Sequence, residues 1–182
     1  IPTSADKAER LFQRFGGITE IVVDCDGLGV GVRDILRLRG YPTVAFHGQA
    51  RTENKDASGE LGYYNKRSEA WWNLRVLLDP HNGHNMIIPK DDVLLGDMVC
   101  PKWSVENQKI KVESKPELMR RLKRSPDRGD ALAMCLCPGD ASSFEENFRI
   151  LTAADVEALA QQNQRRDPRS EEAQLDAMMW GG

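Results

Sequence analysis

The sequence of 182 residues holds no apolar run approaching the roughly 20 residues a membrane-spanning helix requires, and no signal-peptide pattern opens it. A soluble, intracellular protein is expected. Cysteine is scarce: Cys25, Cys100, Cys135 and Cys137 form no C-x-x-C pair, which argues against a disulfide framework. Three of them sit in apolar stretches, so free buried thiols in a reducing compartment are expected. Histidine is scarcer still, and His81 and His84 flank an Asn-Gly turn signal, which makes them loop residues before zinc ligands. There is no excess of positive charge either. At a formal net charge of −3, nucleic-acid binding has to rest on a locally basic face rather than on the whole chain. No internal repeat is visible, which removes solenoid architectures. The initiator methionine is also lacking, and Ile1 suggests a piece of a longer chain.

What is present is ordinary globular material. Hydrophobic residues make up 40% and charged residues 29%, enough for one domain with a core. A helix is expected over 5–15, ended by Gly16-Gly17. Ile21, Val22 and Val23 form a short β-branched apolar run, the pattern of a strand buried on both faces. Gly27, Gly29 and Gly31 lead into a helix over 32–39, and Thr43 to Phe46 reads as a second strand. Two strands joined by a crossover helix should be parallel. Residues 48–62 look like a mobile loop. Further on come a helix over 69–78, whose Trp71 and Trp72 are read as core, a short strand at 86–88, a helix over 91–99 and a strand over 109–112. Two more helices follow, over 116–123 and 125–137. From 139 the composition turns polar, with one weak helix at 153–162.

Two carboxylate stations stand out. Asp24 lies at the carboxyl end of an apolar parallel strand, where ligand sites form in open α/β sheets. A carboxylate there must be paired or bound to a cation, or else only cap the glycine loop; Asp26 is the second candidate. The glycine loop is a poor nucleotide site: G-x-G-x-G is not the dinucleotide fingerprint, and two acids upstream would repel a pyrophosphate. The second station is Ser125-Pro126-Asp127-Arg128-Gly129-Asp130, where Asp127 and Asp130 share one face of a helix start. Just before it, Lys115, Arg120, Arg121, Lys123, Arg124 and Arg128 crowd a short stretch. Alone, that run reads as a solvated helix face.

Five segments in order and spacing resemble the nuclease domain of bacteriophage terminase large subunits. They are Ile21-Val22-Val23-Asp24 with its glycine loop and Val32-Arg33-Asp34-Ile35-Leu36; Tyr64-Asn65-Lys66-Arg67-Ser68-Glu69-Ala70-Trp71-Trp72; Val112-Glu113-Ser114-Lys115; and Ser125-Pro126-Asp127-Arg128-Gly129-Asp130-Ala131-Leu132. The resemblance covers about 18–136. It implies an α/β, RNase H-like mixed sheet flanked by helices, with the domain over 1–138 and a polar tail over 139–182. It implies an endonuclease that cuts concatemeric double-stranded viral DNA, with Asp24, Asp127 and Asp130 holding Mg²⁺ or Mn²⁺ in a two-metal site. Lys115, Arg120, Arg121, Arg124 and Arg128 become the DNA-binding set. The terminase ATPase domain, the small subunit and the capsid portal become partners, and the bacterial host's cytoplasm the location.

By the same resemblance, the sequence starts inside the family's opening strand meander. The first strand and its essential carboxylate are then absent, together with the ATPase domain. The expected consequence is a chain inactive by itself. A non-catalytic terminase-derived module that binds DNA or a capsid component is the alternative.

Overall fold

The computed structural model describes residues 2–14, 20–84 and 86–136. The polar tail and the weak helix expected at 153–162 lie outside them.

The first half forms as the apolar pattern predicts. β1 (Ile21–Asp24) and β2 (Thr43–Phe46) pair in parallel, with Ile21 opposite Thr43 and Asp24 opposite Phe46. α2 (Gly29–Leu38) is the crossover. It starts three residues before the apolar pattern does, because the chain turns straight from strand into helix. A Cβ on Gly29 would stand 1.7 Å from the Asp24 carbonyl oxygen, so only glycine allows that approach. α1 (Pro2–Arg14) packs against α2. Arg39, just past α2, reaches back to Asp6 at 2.6 Å and Glu9 at 2.7 Å.

A second sheet has the order β3-β5-β4. β3 (Gly62–Tyr63) runs parallel to β5 (Lys109–Val112), and β4 (Trp103–Glu106) is antiparallel to it. Asn107 and Gln108 both take positive φ, the requirement of a tight hairpin turn that follows the sheet twist. β3 and β4 are additions to the sequence reading. β3 is too short to show a period, and all four side chains of β4 are exposed, so no buried alternation marks it.

α3 (Lys66–Leu78) is the central helix. Its cap is Asn65, whose side chain accepts from the Ser68 amide at 2.9 Å. Trp71, Leu74 and Leu77 join Phe46, Val112, Ala133 and Leu136 in one core, which links both sheets to α6 (Asp127–Cys135). α4 (Asp92–Val99) lies against α6 from another side. α5 (Lys115–Leu122) opens with a capping box between Ser114 and Glu117. Gly129 marks where α3, α4 and α6 meet: an added Cβ would come within 2.8 Å of both the Asp97 Cβ and the Trp71 ring.

Four expectations are corrected. No strand forms at 86–88, because Met86-Ile87-Ile88 finds no partner edge and Ile87 is exposed. β1 is half-buried rather than covered on both faces, and among the described residues it pairs with β2 alone. The loop after β2 is tied down, since the Gly48 and Ala50 carbonyls accept from the Arg67 and Lys66 amides at 2.9 Å and Asn54 donates to Glu69 at 2.6 Å. Of the described thiols, only Cys25 is buried.

Candidate active site

The site is built where the end of β1 faces the start of α6. Asp24 is exposed at the strand terminus, and its Oδ1 accepts from the Asp26 amide at 3.1 Å, closing the turn. Asp26 in turn accepts from the Gln49 amide at 3.1 Å and lies 3.5 Å from His47 Nδ1, so it ties the end of β1 to the loop after β2. Both acids line a cavity of about 180 Å³, together with Phe46, Arg67, Lys115 and Asp130.

Asp130 is the best-held group of the set. Its side chain is 13% exposed, and Oδ1 accepts from both Arg67 Nη2 and Trp71 Nε1 at 3.0 Å. A carboxylate this buried needs such donors to offset its lost hydration. Oδ2 is buried without a hydrogen bond. Lys115 Nζ stands 3.1 Å from that oxygen, which supplies charge without hydrogen-bond alignment. Arg67 is fixed from its other side, where Nη1 donates to the Glu113 carbonyl.

Asp127 has a different environment. It is 75% exposed and does not line the cavity, and it accepts from Ser125 Oγ at 2.5 Å and from Lys115 Nζ at 3.1 Å. The Ser125 hydroxyl, followed by Lys115, holds its carboxyl below the usual range. Burial of Lys115 would lower its pKa, but Asp130 and Asp127 outweigh that and raise it. Asp24 and Asp130 therefore share one cavity, while Asp127 joins them through the Lys115 ammonium. Among the described residues, no three acidic, histidine or cysteine side chains stand close enough together to hold an ion as they are.

Three of the four arginines expected on DNA are already paired within the chain. Arg121 pairs with Glu113 at 2.6 Å, Arg124 with the buried Asp97, and Arg128 with Asp91. Arg120 forms no ion pair among the described residues and touches only the Pro116 carbonyl. From the sequence, Trp71 is assigned only to the core and Arg67 to no site role, so their hold on Asp130 is a finding of the structure. The signal was present, because residues four apart on a helix share a face and both fall in the resembling segment from Tyr64 to Trp72.

With this geometry in view, the chain can be set beside known proteins. No family model matches it, and no curated protein matches it. Solved structures do. A lysine-to-alanine mutant of the nuclease domain of the large terminase subunit gp2 of bacterial virus Sf6, with manganese, aligns over 74% of this chain and 72% of its own, at 24% identity and a TM-score of 0.56. The same mutant with calcium aligns over 74% and 71%, again at 24% identity and 0.56. The unmutated nuclease domain aligns over 74% and 72%, at 23% identity and 0.54. The chain has the fold of a terminase nuclease domain. It is thus an α/β, RNase H-like fold, and the expected fold class holds.

Within this terminase-nuclease fold, the residues present suit a hard divalent cation. The buried Asp130 Oδ2 has the Lys115 ammonium at 3.1 Å but no aligned hydrogen bond, and it belongs to a cavity that two more carboxylates line. A pyrophosphate is a poor fit, since Asp24 and Asp26 stand at the glycine loop and Gly29 is spent on the Asp24 carbonyl.

Proposed function

We propose that this chain is a metal-dependent endonuclease domain of a phage DNA-packaging terminase, acting on concatemeric double-stranded DNA in the host cytoplasm. The observation that carries the reading is the shared cavity of Asp24 and Asp130, in which Asp130 Oδ2 is buried without a hydrogen bond. Asp24, Asp127 and Asp130 would hold Mg²⁺ or Mn²⁺. Such a cation, or a pair of them, supplies an activated water and stabilises the leaving oxygen of an in-line phosphodiester displacement.

The chain's own groups do the rest. Arg67 and Trp71 fix Asp130 so that one oxygen faces the cavity. The Lys115 ammonium neutralises Asp127 and Asp130, and with a cation on those carboxylates it would be free to meet a backbone phosphate beside them. Arg120 extends that basic edge along α5. Arg121, Arg124 and Arg128 belong to the DNA-binding set only to the extent that they leave Glu113, Asp97 and Asp91. The remainder of the terminase large subunit, its small subunit and the capsid portal are the partners this reading supplies.

Two observations favour a second reading, a non-catalytic module that binds DNA or a capsid component: Lys115 sits between Asp127 and Asp130, and no three ligands cluster among the described residues. The test is Mn²⁺ binding and plasmid cleavage by the chain alone and with the family's first strand restored ahead of it, with Asp24→Ala and Asp130→Ala beside each. Mn²⁺ binding and nicking that both variants abolish, in either form, support the nuclease. Binding of DNA with no response to Mn²⁺ even in the restored form supports the module and sinks the nuclease.

A further inference from the structure

The first turn of α6 carries Asp127 and Asp130, yet it lacks a cap of its own. Its N-cap position is Pro126, which makes no side-chain capping bond. Uncapped first-turn amides cost stability wherever they are buried. Here the missing acceptor comes from a different helix. Asp97 of α4 is fully buried, and its Oδ2 accepts from the Arg128 amide at 3.2 Å and the Gly129 amide at 3.1 Å. Its Oδ1 accepts from Arg124. One carboxylate thus receives two backbone N–H groups at the positive end of a helix dipole and one guanidinium, which together offset its burial.

The fit around this carboxylate is close. Gly129, which donates one of the two amides, would bring a Cβ within 2.8 Å of the Asp97 Cβ, so the approach depends on glycine. Both anchored amides lie between Asp127 and Asp130, so the anchor fixes how far α6 advances toward β1 and how it is turned. Asp97 itself does not line the cavity.

We propose that Asp97 is a positioning residue for the carboxylate site: a helix cap supplied from α4 that holds the first turn of α6 where Asp130 faces Asp24 across the cavity. The inference rests on the metal-dependent nuclease reading, because that reading gives the placement of Asp130 a chemical consequence. A displacement of about 1 Å in a ligand-bearing turn is enough to spoil a cation site built from fixed groups. The run from Arg124 to Asp130 is then one unit, with Arg124 neutralising the carboxylate that orders the next helix.

The experiment measures Mn²⁺ alone binding to the whole chain, by the loss of the free-ion paramagnetic resonance signal, beside thermal melting. The variants are Asp97→Asn and the double variant Asp97→Asn with Arg124→Gln, which leaves no uncompensated charge if the single change prevents folding. A folded variant should bind Mn²⁺ about tenfold more weakly, the scale expected when an outer support of a metal site is removed. A purely structural role would lower the melting temperature and leave the affinity of the folded molecules unchanged. Folded variants whose Mn²⁺ affinity stays within about twofold of the original overturn the inference, provided that Asp130→Ala abolishes binding. If neither the unaltered chain nor its restored form binds Mn²⁺ that Asp130→Ala removes, it is the nuclease reading that falls, and this inference falls with it.

Discussion

Replacing one partner of the Arg67–Asp130 pair tests whether Asp130 is held by its neighbours or merely crowded by them. Two effects compete. Asp24, Asp26 and Asp130 line one cavity, and like charges there oppose ionisation, so removing Asp130 would relieve repulsion. Against this, the Arg67 guanidinium lies 3.0 Å from Asp130 and the Lys115 ammonium 3.1 Å away. The side chains of Arg67 and Asp130 are only 10% and 13% exposed, so solvent screens their pair little. Removing one member of a buried pair costs about 3–5 kcal/mol. Arg67→Met keeps much of the volume and leaves Asp130 with Trp71 and Lys115, which places it at the low end, about 3 kcal/mol. Asp130→Asn leaves Arg67 bonded to the Glu113 carbonyl and should cost about 2 kcal/mol, the worth of a hydrogen bond to a charged group. At about 2–4 °C per kcal/mol for a chain of this size, Arg67→Met should melt some 6–12 °C lower. The double variant should be less destabilised than the sum of the two, with a coupling of about 1–3 kcal/mol. Urea unfolding of the four proteins in metal-free buffer provides the measurement. A rise in stability on Asp130→Asn would refute the reasoning, because it would mean that repulsion among the acids outweighs the cations.

The remaining outcomes turn on which cations are already paired. Arg120→Ala should flatten the salt dependence of DNA binding by about 0.9 in log–log slope for each phosphate left without its cation, and leave the melting temperature unchanged, whereas Arg121→Ala and Arg124→Ala should lower melting, since Glu113 and Asp97 lose their partners; an unchanged slope for Arg120→Ala would remove it from the interface. The Arg121 hydrogen bond, ahead of smaller contributions that include the backbone amide it takes from Lys102, depresses Glu113 below its ordinary value of 4.5. A depressed carboxyl stabilises the fold above its unfolded value, and that stabilisation drains away as pH falls from 4.5 through the folded value. Glu113→Gln should therefore be less stable at neutral pH and lose less on acidification below 4.5, read as the urea midpoint against pH, and parallel curves for the two proteins would refute it.

The sequence by itself determined the parallel β1–α2–β2 unit, α3, α4, β5, α5 and α6, because each is written in local periodicity, caps and glycine stops that neighbouring residues enforce. It also singled out Asp24 and Asp130, since a carboxylate at an apolar strand end or at a helix start is a local anomaly. β4 left no such mark, because a strand whose side chains are all exposed has no buried face to alternate with. What only the tertiary structure decided is how the charges are spent. Arg67 and Trp71 meet Asp130 across 63 and 59 residues, and Asp97 caps a helix 31 and 32 residues further along the chain. A hydrogen bond between such distant groups has no period or spacing to reveal it. The run from Lys115 to Arg128 shows the same division: a basic stretch in sequence, it becomes a set of intramolecular ion pairs once folding brings Asp91, Asp97 and Glu113 beside it. Charge is a property of the residue, but the partner that neutralises it is a property of the fold.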